Sequence, residues 1–273
     1  MQGLWGRRLW SRRLRFAAAA APDGPHRLPG AGRGLDLAGI RPFEPGDDPR
    51  RIDARASARR GFPHVREDGP CLSQTLHFVI EGLDRLGATP AAWPSRIPAM
   101  VIESLAPVAL DCGDPVALTV LGSGGIIHRQ ASRHPAAAAA CLADLKSPAP
   151  STGSVHDLWP GLIGRGSLAL VVTDGLSPTL SRQISDLPRR VDARLLLVRN
   201  PWLGMEPPSV AVFNGYDGTT LPAPSPREWA MWKSRSMARM NQLRASFPAA
   251  AEVSRSPGPE FADILANLLA GSP

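Results

Sequence analysis

From residue 76 onward, unbroken apolar runs alternate with stretches in which apolar residues recur at helical spacing. Leu76–Glu81 reads LHFVIE, Asp114–Ser123 reads DPVALTVLGS, Gly166–Gly175 reads GSLALVVTDG and Val191–Asn200 reads VDARLLLVRN. Each run is too short for a helix and is bounded by turn residues, which is the pattern of a buried strand. GIIHRQ, after the glycines between Gly122 and Gly125, reads as an edge strand, and SVAVFN (Ser209–Asn214) as a further β segment. Between them, SRIPAMVIESLAPVALDCG has helical spacing at Ile97, Val101, Leu105 and Val108. Helices are also predicted from near Pro135 through CLADLK, through Leu180 to Leu187, over Arg227 to Phe247 and over 259–270. In the long one, Trp229, Trp232, Ser236, Met240, Leu243 and Phe247 share a face.

Continuous apolar strands alternating with helices predict an α/β fold, a mostly parallel sheet covered on both faces. Such sheets place ligands at the carboxyl ends of their strands. Those ends are Glu81, Ser123, Asp174 and Asn200.

Residues 1–70 follow another pattern, rich in turn residues and arginine and poor in hydrophobic periodicity, so the chain divides into 1–70 and an α/β domain over 71–273. Glu44-Pro45-Gly46 reads as a turn. Asp48 before Pro49 reads as an N-cap and first helical residue. Arg59 and Arg60 then occupy a last turn closed by Gly61, which predicts one capped helix from Asp48 to Arg60. On it Arg50, Asp53 and Ser57 fall on one face. Arg50, Asp53 and Arg59 are expected to form internal ion pairs that dock this segment on the sheet, leaving Arg41, Asp47 and Arg51 to face a partner.

Composition adjusts this picture in a few places. The formal charge is +7, but arginines crowd the first sixty residues and no long block of like charge appears, so a nucleic-acid partner is not expected. The three cysteines, Cys71, Cys112 and Cys141, are odd in number and far apart, which is neither a disulfide framework nor a metal-ligand spacing. Ser11–Phe16 (SRRLRF) is followed by an apolar stretch too short for an export signal, and no run approaches a membrane span. The expected location is the cytoplasm, with membrane contact at most peripheral, through Trp5, Leu9, Trp10 and Phe16. Gly30-Ala31-Gly32-Arg33-Gly34 lacks the preceding strand and following lysine of a phosphate loop. Adjacent Asp47 and Asp48 diverge on a turn and do not make a facing catalytic pair. His128 and His134 have no acidic companion nearby. Neither a catalytic residue nor a cofactor is nominated.

Gly32 to Arg59, GRGLDLAGIRPFEPGDDPRRIDARASAR, resembles the signature of the bacterial domain of unknown function numbered fifty-eight. Gly32, Gly34, Arg41, Gly46, Asp47, Asp48, Arg50, Ile52, Asp53, Ser57, Ala58 and Arg59 match it; Asp36-Leu37, Phe43 and Ala54 replace a Glu-Phe pair, a tyrosine and a tryptophan. The likeness continues through GDPVALTVLG, LALVVTDG and LLLVRNP. The resemblance implies a von Willebrand A-like, Rossmann-type sheet behind the signature, as in the MxaS-like soluble members. It also implies association with MoxR-type AAA+ ATPases and von Willebrand A-domain proteins in maturing or metal-loading a client enzyme complex, such as one of the methanol-dehydrogenase kind. Domains of this kind hold Mg²⁺ through an Asp-x-Ser-x-Ser loop, a threonine and an aspartate. Here the loop reads Glu81-Gly82-Leu83-Asp84-Arg85, and only Asp174 stands where the pattern places a carboxylate. Leucine offers a hard cation no oxygen and arginine brings a competing charge. The expectation is a non-enzymatic adaptor with a degenerate metal site around Glu81 and Asp174; the alternatives are a nucleic-acid-binding module using the basic N-terminus and a metal-dependent hydrolase on the α/β sheet.

Overall fold

The apolar runs pair into a six-stranded sheet ordered β12-β9-β8-β5-β6-β7. Its strands are β5 (Leu76–Glu81), β6 (Val116–Gly122), β7 (Gly125–Ser132), β8 (Leu168–Thr173), β9 (Asp192–Val198) and β12 (Ala250–Val253). All pairings are parallel except β6 with β7. This is the mostly parallel α/β sheet expected, in a von Willebrand A-like, Rossmann-type order, and GIIHRQ forms its antiparallel edge. The computed structural model describes residues 21–27, 36–69, 71–81, 96–122, 125–146, 159–164, 166–199, 201–207, 212–213, 220–253 and 260–270.

Side-chain alternation divides the sheet into two apolar layers. Leu76, Phe78, Ile80, Val116, Leu118, Leu168, Leu170, Val172, Leu196 and Val198 point to one face. They pack against α2 (Arg96–Asp111), α3 (Ala137–Lys146) and α6 (Phe261–Ala270) through residues such as Ile97, Val101, Ile102, Cys141, Phe261 and Leu265. Val79, Leu121, Ala169, Val171, Ala193, Leu195 and Leu197 point to the other face. There α4 (Pro178–Asp186) and α5 (Pro226–Ser246) cover them with Leu180, Ile184, Leu243 and, just past α5, Phe247. Helices on both faces explain why the central strands read as continuous apolar runs. Cys141 is a buried thiol, pushed up to about 11 chiefly by that burial; Cys112 is half-buried, and neither is in a disulfide.

Pro107 lies inside α2 without ending it, and it sits on the exposed side. SVAVFN contributes only Val212–Phe213 as described strand (β10), paired with Thr220–Leu221 (β11). Ala250–Val253 had no strand signature, yet Leu195 N–H reaches Ala249 O at 3.1 Å and seats β12 beside β9.

The first segment departs furthest from its sequence reading. It contains β1 (Ala21–Arg27), β2 (Asp36–Pro42) and β3 (His64–Gly69), which with β4 (Cys71–Ser73), just past its expected end, pair as two antiparallel ribbons, β1 with β4 and β2 with β3. A ribbon of two strands has no sheet interior to demand alternation, so charged and glycine-rich stretches form strands without a hydrophobic signature.

The single helix expected over Asp48–Arg60 is two pieces. Pro49–Arg51 is a 3-10 turn capped by Asp48, whose carboxylate accepts from Arg50 N–H at 2.9 Å. Ile52 then turns extended and bridges to Val65, and α1 (Ala54–Arg60) starts afresh with Asp53 as N-cap. Gly61 closes α1 in the left-handed conformation at φ +79°. The bridge to β3 interrupts the helix, a long-range pairing that spacing along the sequence does not encode.

Candidate functional site

Two places carry concentrations of polar chemistry: the signature segment, and the crevice at the carboxyl edge of the sheet. In the signature, Gly46 at φ +109° permits the turn in which Asp47 N–H reaches Glu44 O at 3.1 Å. That turn aims the Asp47 carboxylate back at Arg41. The guanidinium grips it with two bonds, Nη1 to Oδ2 at 2.6 Å and Nη2 to Oδ1 at 2.5 Å. Arg41 Nε donates to Glu67 Oε1 at 2.9 Å, and Nη1 also donates to Pro42 O. The β2–β3 register brings Glu67 there, because Arg41 lies opposite Val65 and Glu67 is its diagonal neighbour. The Arg41 hydrogen bonds, helped by Glu44 N–H, hold the Asp47 carboxyl down at about 2, and the same pairing holds the Arg41 guanidinium above its ordinary value.

Among the described residues, Asp53 has no arginine partner. Its carboxylate accepts from Ala56 N–H at 2.8 Å, while its own N–H donates to His64 O at 2.9 Å. Ser57 Oγ donates to Asp53 O at 2.7 Å and accepts from His64 N–H at 2.9 Å, tying α1 to the start of β3. The roles expected are therefore exchanged. Arg41 and Asp47 form the internal ion pair, whereas Arg50, Arg51 and Arg59 lie on the exposed side. Arg55 and Arg60 are exposed with them, as are Ile52 at 38% and Phe62 at 51% exposure in the same stretch of chain. A sequence signal for the ion pair was present in Arg41 and Asp47 themselves; Glu67, remote in sequence, was not nominated.

At the carboxyl edge, strand order reverses between β5 and β8, so the ends of these two strands open the crevice where doubly wound sheets bind ligands. Glu81, Thr173 and Asp174 meet there, all fully buried. Thr173 Oγ1 donates to Glu81 Oε2 and accepts from Gly175 N–H at 2.8 Å. Asp174 Oδ1 accepts from Leu176 N–H at 3.0 Å. Ser123 and Asn200 lie outside the described residues, as do Leu83 and Arg85.

This donor set does not fit a hard divalent cation. Mg²⁺ requires octahedral oxygen ligation. The threonine hydroxyl points its proton at Glu81 and takes an amide on its lone pair, and the Asp174 carboxylate closes its own turn. No group of three or more His, Cys, Asp or Glu able to hold a metal occurs among the described residues. The Thr173–Glu81 bond ties the end of β8 to the end of β5.

The match to known proteins follows the same two features. A family model described as "Protein of unknown function DUF58" matches residues 39–202, which span the signature from Gly39 and the sheet through β9. The chain belongs to the DUF58 family. No curated protein matches this DUF58 chain. The match ends before α5, β12 and α6, so the last strand and its helices lie beyond the span that defines the family assignment.

One polar group of this DUF58 protein had no sequence signal. His77 Nε2 and Thr119 Oγ1 lie 2.8 Å apart, and Thr119 Oγ1 lies 3.1 Å from His128 Nδ1, a chain across β5, β6 and β7. The two imidazoles stack with centroids 5.8 Å apart. Burial, then the neighbouring His128, pushes His77 down to about 3; burial lowers His128 too. Both rings are therefore neutral structural groups at neutral pH. Among the described residues, no helix is long and apolar enough to cross a membrane.

Proposed function

We propose that this DUF58 protein is a non-enzymatic, cytoplasmic adaptor that presents its signature surface to a MoxR-type AAA+ ATPase. In this reading it works with von Willebrand A-domain proteins in maturing or metal-loading a client enzyme complex. The supporting observation is the division of labour inside the signature. Arg41, Gly46, Asp47, Asp48, Asp53 and Ser57 spend their polar groups or backbone freedom on internal structure. That scaffold leaves Arg50, Arg51, Arg55, Arg59 and Arg60 exposed in the same stretch of chain as Ile52 and Phe62. Arginine beside exposed apolar side chains is the composition of protein-binding hot spots. The crevice supports the same reading, because Thr173 is bonded to Glu81 and to Gly175 N–H, and Asp174 accepts from Leu176 N–H in its own turn.

The test is capture of a purified MoxR-type ATPase from the same organism. The double variant Arg59→Glu/Arg60→Glu should melt within a few degrees of the parent, since both positions are exposed, and should lose ATPase capture. Undiminished capture by this folded variant sinks the signature surface as the docking face. A basic surface also admits nucleic acid as the ligand. Retention of DNA would then fall steeply with added salt, whereas a protein contact with apolar anchors would fall less.

A further inference from the structure

The helix α5 has 21 residues, about 31 Å of helix, which is longer than the strands it accompanies. Its attachment to the sheet lies in its second half. A side chain at Gly175, just past the end of β8, would meet Met240 Cγ at 3.2 Å and Leu243 Cδ2 at 3.6 Å. Leu243 and Phe247 enter the apolar layer below. Met240 thus stands at the carboxyl edge of the sheet, and Pro226 to Arg239 run roughly 20 Å beyond it.

This projecting half is built to stay helical. Ser225 and Glu228 form a capping box: Ser225 Oγ accepts from Glu228 N–H, and Glu228 Oε2 accepts from Ser225 N–H at 2.8 Å. Trp229 is buried, stacks on Trp232 with centroids 4.8 Å apart, and donates from Nε1 to Met205 O at 3.0 Å. Arg239 Nη1 donates to Leu176 O, which fixes the helix to the loop after β8.

One face of this half lines an open groove of about 420 Å³, with Leu176 as its contribution from the sheet edge. The lining residues Glu228, Met231, Trp232, Arg235, Ser236 and Arg239 recur at helical spacing. Met231 is 44% exposed. The floor is apolar and the charge is one-sided: α5 carries Arg227, Lys233, Arg235, Arg239 and Arg244 against a single acid, Glu228, which the capping box engages. Among the described residues, Arg235 has no carboxylate partner.

We propose that the groove along the projecting half of α5 is a docking site for an acidic amphipathic segment of a partner protein. Its carboxylates lie against Arg235 and Arg239 and its apolar anchors against Met231 and Trp232. Charge complementarity selects an acidic partner, and the apolar floor selects a peptide over a bare polyanion. The site is separate from the signature surface, and it lies on a helix outside the matched family span, so it stands whether or not the signature binds an ATPase.

The probe is a fluorescein-labelled helical peptide with leucine at every third and fourth position and glutamate elsewhere, titrated with the full chain and followed by anisotropy. Its lysine counterpart and a labelled single-stranded oligonucleotide are measured beside it. The acidic peptide should bind and the lysine peptide should not. Arg235→Glu should weaken binding by roughly tenfold or more and Met231→Ala by several-fold, as expected for central anchors. Arg244→Glu, past the groove, should change it little. Melting curves for the three exposed-site variants confirm that the fold is retained. No binding of the acidic peptide overturns the proposal, as does equal binding by Arg235→Glu or Met231→Ala. An oligonucleotide that binds more tightly than the peptide and loses affinity on Arg235→Glu assigns the groove to nucleic acid, and overturns it too.

Discussion

Asp53 sits where a 3-10 turn ends and α1 begins, and its environment sets what its loss costs. Spacing alone placed it opposite Arg50 in a continuous helix, where removing one partner of a buried ion pair would cost several kcal/mol. In the structure it is an N-cap, accepting from Ala56 N–H. Asp53→Ala should therefore destabilise the protein by only about 1 kcal/mol, read by denaturant unfolding, and Asp53→Ser should recover most of that. Loss of folding on Asp53→Ala would mean the carboxylate does more than cap. Asp48 and Gly61 were legible as caps and Gly46 as a turn because these signals are local, whereas the capping role of Asp53 was hidden by the break that the bridge to β3 imposes. The Arg41–Asp47–Glu67 cluster was legible only in part, because the β2–β3 register, not the nearby sequence, delivers Glu67.

At the scale of elements, the strands most readable in advance were those buried on both faces, with the half-buried edge strand β7 read beside them. β5, β6, β8 and β9 are apolar at most positions, with only isolated buried polar residues such as His77, Thr119 and Arg194, and that is a signal one sequence displays. β12 reads Ala-Ala-Glu-Val and the first-segment ribbons are polar, so their pairing depends on neighbours the local pattern does not name. The seat of α5 depends in the same way on one small residue. Gly175 adopts φ +66°, and any side chain there meets Met240. Gly175→Ala should cost about 1–2 kcal/mol from the left-handed backbone alone, with a further cost if Met240 is pushed away. Thermal melting checks the loss, and a compensating Met240→Ala that recovers part of it would assign the remainder to that contact. A Gly175→Ala protein as stable as the parent would show that α5 is seated elsewhere.

For the whole molecule, the chain His77–Thr119–His128 couples stability to pH. His77 is pushed down to about 3 in the fold from an ordinary value near 6.5. The unfolded state therefore takes up the proton first. The stability tied to neutral His77 is fully present above 6.5 and is lost as pH falls from 6.5 towards 3. Between pH 7 and 5 this amounts to about 2 kcal/mol for His77. His77→Gln, which keeps a polar partner for Thr119, should flatten the decline by that amount in urea unfolding at the two pH values. Parallel declines in parent and variant would remove His77 as the cause.

The strand order that creates the crevice also governs how the chain must assemble. β5, β6 and β7 form one side of the sheet and β8, β9 and β12 the other, and the sides meet only where Leu76 lies against Leu168 and Ile80 against Val172. Each side pairs its strands across shorter stretches of chain than the seam does. The seam joins residues that are remote along the chain, and its closure entropy must be met before either apolar layer is continuous. Among the described strand pairings, β5 with β8 has the longest sequence separation, so it carries the largest closure entropy and leaves two exposed sheet edges until it forms.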